Sequence, residues 1–213
     1  MQKVLSKNLS FIILHCVLLV VSVSCNSPQK SKQKAVEKPL NISVFLDLSD
    51  RLTRKIEPSQ MSRDTAIIGY IVDYFKAHTL GPQILQSKNS IKIFFYPAPH
   101  SSDIATLANE LSVNMEQYNG KDKRITLENM KAKFQGNLTQ IYNKTISEEN
   151  WIGCDIWDFF NSRKVDSQCI KKDARNILII LTDGYLFDQN NKIKEGNSYS
   201  YILPQTLEQK DAS

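Results

Sequence analysis

Apolar residues along this chain group into continuous runs and helically spaced ones. Residues 41–46 hold Ile42, Val44, Phe45 and Leu46, and the run ends abruptly in Asp47, Ser49 and Asp50. A short, largely β-branched or aromatic run of this kind predicts a strand buried on both faces, as a central strand of a parallel sheet must be. Residues 176–181 repeat the design and discharge into Thr182, Asp183 and Gly184. A third run, 91–96, predicts another strand, closed by Pro97 and Pro99, which cannot continue a ladder.

Between these runs the spacing changes. Pro58-Ser59 opens a stretch in which Ala66, Ile67, Tyr70, Ile71, Tyr74 and Phe75 recur every three or four positions. That pattern predicts an amphipathic helix packing those residues on the sheet and ending near Gly81-Pro82. Helical patterns also cover 103–118, through Leu107, Leu111 and Met115, and 125–146, through Leu127, Met130, Phe134, Leu138 and Ile141. Asn119-Gly120 marks a turn between them. No further strand is predicted in this segment, which reads as a helical cover over one face of the sheet or over a site. Residues 151–160 predict a helix with Asp155 in its first turn, where the exposed amides stabilise negative charge, and with Trp157 and Phe160 as core. Beyond Leu186 the chain turns polar, loop-like over 188–197, with at most one short strand over 198–203. Strand, helix and strand in this order make a parallel unit, so the expected fold is α/β and Rossmann-like, a mostly parallel sheet flanked by helices.

In such open sheets ligands bind outside the carboxyl ends of the strands, beside a topological switch point. Two buried strands that each end in an aspartate at one sheet edge would bring Asp47 and Asp183 together. The segment Asp47-Leu48-Ser49-Asp50-Arg51 resembles the Asp-x-Ser-x-Ser motif of von Willebrand factor A domains, Thr182-Asp183-Gly184 resembles their fourth-strand Thr-Asp-Gly, and Gly153-Cys154-Asp155-Ile156 is similar to their Gly-Thr-Asp-Ile segment. The resemblance covers roughly 38–186. It implies a divalent-cation site, Mg²⁺ or Mn²⁺, with Asp47, Ser49 and Asp183 as ligands and a partner protein's carboxylate completing the shell. Two positions depart from the family. Arg51 stands where a second Ser belongs, and Cys154 stands where Thr or Ser belongs. A thiol is a poor ligand for a hard cation. Arg51 either places its fixed charge between the aspartates in place of the ion or points to solvent. Asp50 and Thr139 are further oxygen candidates, and Asp155 or Asp158 a further contact to metal or partner, against the plainer readings of a helix-surface Thr and a capped, solvated helix start. The family continues past its fourth strand, whereas this sequence stops at Ser213, so the domain reads as either truncated or a shortened variant whose last segment covers the sheet edge.

The N-terminus adds a compartment. Lys3 and Lys7, the apolar run 11–23 and small residues before Cys25 have the layout of a secretory signal, and the cysteine makes it resemble a bacterial lipoprotein signal over 1–24 with lipidation at Cys25. Residues 25–39, rich in Ser, Pro, Gln and Lys, read as a flexible tether before a domain over 40–213. The expected location is the cell envelope, lipid-anchored at the outer membrane or a periplasmic face. Loss of Lys3 and Lys7 lowers the formal charge of the 213-residue chain by two, from +5 to +3, too mild to argue for nucleic acid. An oxidising compartment suggests a Cys154–Cys169 disulfide. A helix from Asp155 to Arg163, roughly 13 Å long at 1.5 Å per residue, argues against it.

These readings favour a membrane-anchored module that binds an envelope or extracellular protein. A metal-assisted hydrolase or phosphotransferase using Asp47 is the enzymatic alternative. No phosphate loop, Gly-x-Ser-x-Gly elbow or His-Glu-x-x-His motif accompanies it. A remnant that has lost binding, its acids neutralised by Arg51, is the third reading.

Overall fold

A computed structural model describes residues 37–149 and 154–184, together with the backbone of 194–195 and 198–199. The expected signal and lipidated Cys25, all of the tether but its last residues, and most of 185–213 lie outside the described residues. Four strands form the main sheet: β1 (Leu40–Leu46), β2 (Ser90–Phe94), β3 (Ser112–Asn114) and β4 (Arg175–Leu181), in the order β3-β2-β1-β4. β1 runs parallel to β2 and to β4, while β3 is antiparallel to β2. Helices flank this mixed, mostly parallel sheet, which is an α/β architecture. A separate hairpin pairs β5 (Lys194–Glu195) with β6 (Ser198–Tyr199).

Among the described residues five α-helices lie between the strands, α1 (Gln60–Thr79), α2 (Ser102–Asn109), α3 (Gly120–Glu148), α4 (Ile156–Asn161) and α5 (Lys164–Cys169), and a 3-10 turn, Asp50–Thr53, directly follows β1. Because side chains alternate across a strand, β1 serves two cores. Ile42, Val44 and Leu46 join Ile91, Ile93 and the partly buried Ile177 and Ile179 under α1 and α3. Phe45 points the other way, into a cluster with Phe94, Phe159, Cys154 and Cys169 under α4 and α5. Its ring meets Phe94 and Phe159 edge to face at 5.5 and 5.2 Å, a geometry favoured by the ring quadrupoles.

Three expectations are corrected. The helix expected over 103–118 stops at Asn109, and a strand follows. Leu111, Val113 and Met115 are all buried, an alternation of period two. Every second position of such a run also falls at helical i, i+4 spacing, which is why Leu107, Leu111 and Met115 read as a helix face. α1 exists, begun by Ser59, whose hydroxyl accepts from the Ser62 amide at 3.2 Å. It buries Asp64, Ile68, Val72, Phe75 and Thr79; of the expected stripe Phe75 is buried and Ile71 partly so, while Ile67, Tyr70 and Tyr74 are exposed. The shift of one position rotates the helix by about 100°. It lets Gly69 face α3, where a Cβ would come within 2.8 Å of Gln135 Nε2, and it turns Asp64 inward. Finally, Trp157 and Phe160 are not core: Phe159 is the buried ring of α4, and the two flanking aromatics are exposed.

Candidate functional site

The register of the sheet builds the site. Leu46 lies beside Leu181, so β1 and β4 end level, and the Asp47 amide donates to the Leu181 carbonyl at 3.0 Å. In a sheet ordered β3-β2-β1-β4 the chain order reverses between β1 and β4, and the crevice for ligands opens there, beyond their carboxyl ends. Asp47 and Thr182 flank that point. The Thr182 hydroxyl donates to Asp47 Oδ2 at 2.9 Å and accepts from the Gly184 amide at 3.0 Å. Gly184 has φ +81°, a left-handed turn that favours glycine. Asp47 Oδ1 accepts from the Ser49 amide at 2.8 Å.

Arg51 decides the character of the floor. The 3-10 turn directs it inward, and it is 2% exposed. Its Nε donates to the Asp47 carbonyl at 3.0 Å and lies 3.6 Å from Asp47 Oδ2. Its Nη2 meets Asp64 Oδ2 of α1 at 2.7 Å. Asp64 is itself saturated, accepting from the Tyr142 hydroxyl of α3 at 2.7 Å and from Gln60 Nε2 at 2.9 Å. A guanidinium shared by two buried carboxylates thus ties the end of β1 to α1 and α3.

Burial raises the Asp47 carboxyl above its ordinary value, with Ser49, Arg51 and Thr182 pulling partly back. Burial alone would lower the Arg51 value, yet the hydrogen bond and charge of Asp64 outweigh it and hold the guanidinium protonated. Burial and the Asp64 charge push Tyr142 well above the usual phenol range, so its hydroxyl stays a donor.

The rim is different. Arg54 Nη2 meets Asp183 Oδ2 at 2.6 Å, and the Arg54 side chain is 59% exposed. Asp50, at the start of the 3-10 turn, is exposed. Of the other expected site residues, Cys154 is buried near Asp47, and burial raises its thiol above the ordinary range, which disfavours the thiolate that a nucleophile or ligand requires. Asp155 caps α4, its Oδ1 accepting from the Asp158 amide at 2.8 Å. Asp158 accepts from Lys164 at 2.9 Å and from the Tyr96 hydroxyl, a contact between side chains of one surface cluster. Thr139 is not in the site: its hydroxyl donates to the Gln135 carbonyl one turn back in α3. Cys154 and Cys169 are free thiols.

A hard dication needs an open set of oxygen donors. Here both Asp47 oxygens accept hydrogen bonds, a guanidinium sits beside one of them, and Asp183 is held by Arg54. As arranged, these oxygens are engaged by protein donors rather than left open for Mg²⁺ or Mn²⁺. Among the described residues no group of three His, Cys, Asp or Glu side chains gathers.

Asp64, Tyr142, Arg54 and Thr182 went unnoticed as site residues in the sequence. Asp64 carried a signal, since it falls four residues before Ile68 on the stripe that continues through Val72, Phe75 and Thr79. A carboxylate on a core stripe requires a buried partner. Compared with protein-family models, with curated proteins and with solved structures, the chain matches none of them. Among the described residues no helix is long and apolar enough to cross a membrane.

Proposed function

We propose that this chain is a lipid-anchored, von Willebrand factor A-like module of the cell envelope that binds a protein partner, and that Arg51 supplies inside the fold the charge a divalent ion supplies in the family it resembles. The observation that carries this reading is the Arg51 guanidinium, buried between Asp47 and Asp64 at the switch point of the sheet. The strand order supports it, being the first four strands of the common doubly wound order 3-2-1-4-5-6. So does the placement of Asp47, Ser49 and Thr182 at one strand end. An enzymatic reading gains nothing from this geometry: Asp47 is 1% exposed with both oxygens engaged, and His78 stacks on Tyr74 instead of facing the floor. The partner, an envelope or extracellular protein, would meet the exposed rim of Asp50 and Arg54. An acidic side chain there competes with Asp183 for Arg54.

Thermal unfolding of the full chain in EDTA, then in excess Mg²⁺ or Mn²⁺, tests the internal-cation reading. The expected outcome is one cooperative transition that the ions do not move. Arg51→Ser, which restores the family's hydroxyl and leaves the buried acids without their cation, is expected to melt lower in EDTA and to recover with Mg²⁺. A wild-type shift of about 2.7 kcal/mol at a hundred times the dissociation constant would show a working ion site and overturn the reading. A transition without cooperativity would favour the remnant. Capture of an envelope protein by the wild type but not by Arg54→Glu carries the binding half of the proposal, and equal capture by both removes the rim from it.

A further inference from the structure

The two edges of the main sheet are built differently. β3 is three residues long, antiparallel and begins and ends in the polar Ser112 and Asn114, a blunt edge of the kind that resists pairing. β4 is seven residues long and reads Arg-Asn-Ile-Leu-Ile-Ile-Leu, with no proline, no charge after Arg175 and no bulge in its register with β1. Among the described residues no strand pairs with its outer side, and the β5–β6 hairpin pairs within itself. In β1 every apolar residue is buried, whereas Ile177 to Leu181 of β4 all stay partly exposed. The neighbouring helix extends this apolar border: Ile67, Tyr70 and Tyr74 of α1 are 40, 76 and 42% exposed, and the Tyr74 hydroxyl accepts from Arg175 Nη2 at 3.0 Å.

We propose that β4 pairs antiparallel, edge to edge, with β4 of a second copy of this chain, about a two-fold axis through Ile179. Charge complementarity selects this occupant. Edge pairing of antiparallel strands places the two-fold normal to the sheet, so each face continues into the same face of the copy and opposed residues share a face. The register that lays the apolar run 177–181 onto itself is centred on Ile179. It sets Ile177 opposite Leu181 and brings Arg175 toward Asp183, which lies two residues past the strand end and already meets Arg54, so each end of the uncharged run sets an arginine near an aspartate of the copy. Moving the centre to Leu178 sets Arg175 opposite Leu181 and loses both pairs. The same axis brings α1 and its counterpart side by side on one face, with Ile67, Tyr70 and Tyr74 toward the join. The inference stands on the sheet edge and does not depend on the proposed function.

Sedimentation of the full chain in detergent over a hundredfold range of concentration tests it, with hydrogen exchange of the β4 amides read at both ends of that range. The expected result is a dimer whose β4 protection falls on dilution. Arg175→Glu, at an exposed position that leaves the fold intact by circular dichroism, is expected to weaken the dimer about tenfold, because like charges then face each other at both ends. A monomer at every concentration overturns the proposal, whether β4 is protected independently of concentration, which would mean cover from within the chain, or not at all. A dimer indifferent to Arg175→Glu overturns the register.

Discussion

The floor and the rim of the switch-point crevice contain the same chemistry, an arginine on an aspartate, in opposite surroundings. Arg51 and Asp64 meet at 2.7 Å with side chains 2% exposed, and Arg54 and Asp183 meet at 2.6 Å with the arginine 59% exposed. Distance alone would rank them equal. Burial separates them, since a pair removed from water has lost its hydration and cannot regain it when one partner is deleted, whereas an exposed group is simply resolvated. The floor is therefore a structural fixture joining β1, α1 and α3, and the rim is a pair whose arginine can exchange partners, as the proposed binding role requires.

The largest test of that contrast is Asp64→Ala, which leaves Arg51 buried with only its Nε contacts to the Asp47 carbonyl and carboxylate. It is expected to cost about 3–5 kcal/mol, read from the urea unfolding midpoint. A cost near that of a surface substitution would mean that water reaches the floor. A second test uses pH. Because burial raises the Asp47 value in the folded state, its contribution to stability is fully present below the ordinary carboxylate value of 3.8 and is lost as pH rises through the folded value. Asp47→Asn lacks that loss, so its stability relative to the wild type is expected to improve across this window. A gap that stays constant, or moves the other way, would show that the hydrogen bonds and Arg51 outweigh burial. The smallest effect belongs to the rim: Arg54→Ala is expected to change stability by about 1 kcal/mol or less, and less still at high salt. A larger loss would make the rim part of the fixture.

Much of the fold was legible in the chain. The runs ending in Asp47 and Thr182-Asp183 are apolar and abrupt enough to mark strands, and their abutment at one end of the sheet was expected and is observed, but only β1 is central and buried, whereas β4 lies at the edge and stays partly exposed. β3 was not legible, because three residues of period two hide inside a four-residue spacing. Nor was the face of α1, where Ile67, Tyr70 and Tyr74 make as good a stripe as Ile68, Val72 and Phe75. Hydrophobic pattern cannot choose between adjacent stripes of similar polarity. The choice came from Asp64, drawn inward by Arg51, and from Gly69, which permits close approach of α3.

The sequence by itself therefore determined the alternation of strands and helices, the two parallel strands β1 and β4 and the carboxylates at their ends, because these follow from local periodicity and from the abrupt ends of the apolar runs. Which charge faces which was decided by tertiary structure. Arg51 is near Asp47 in the chain, but its second partner, Asp64, and that partner's donor, Tyr142, arrive on two separate helices. Whether an arginine turns to solvent or inward depends on whether a buried acid awaits it, and only the packed helices bring one there.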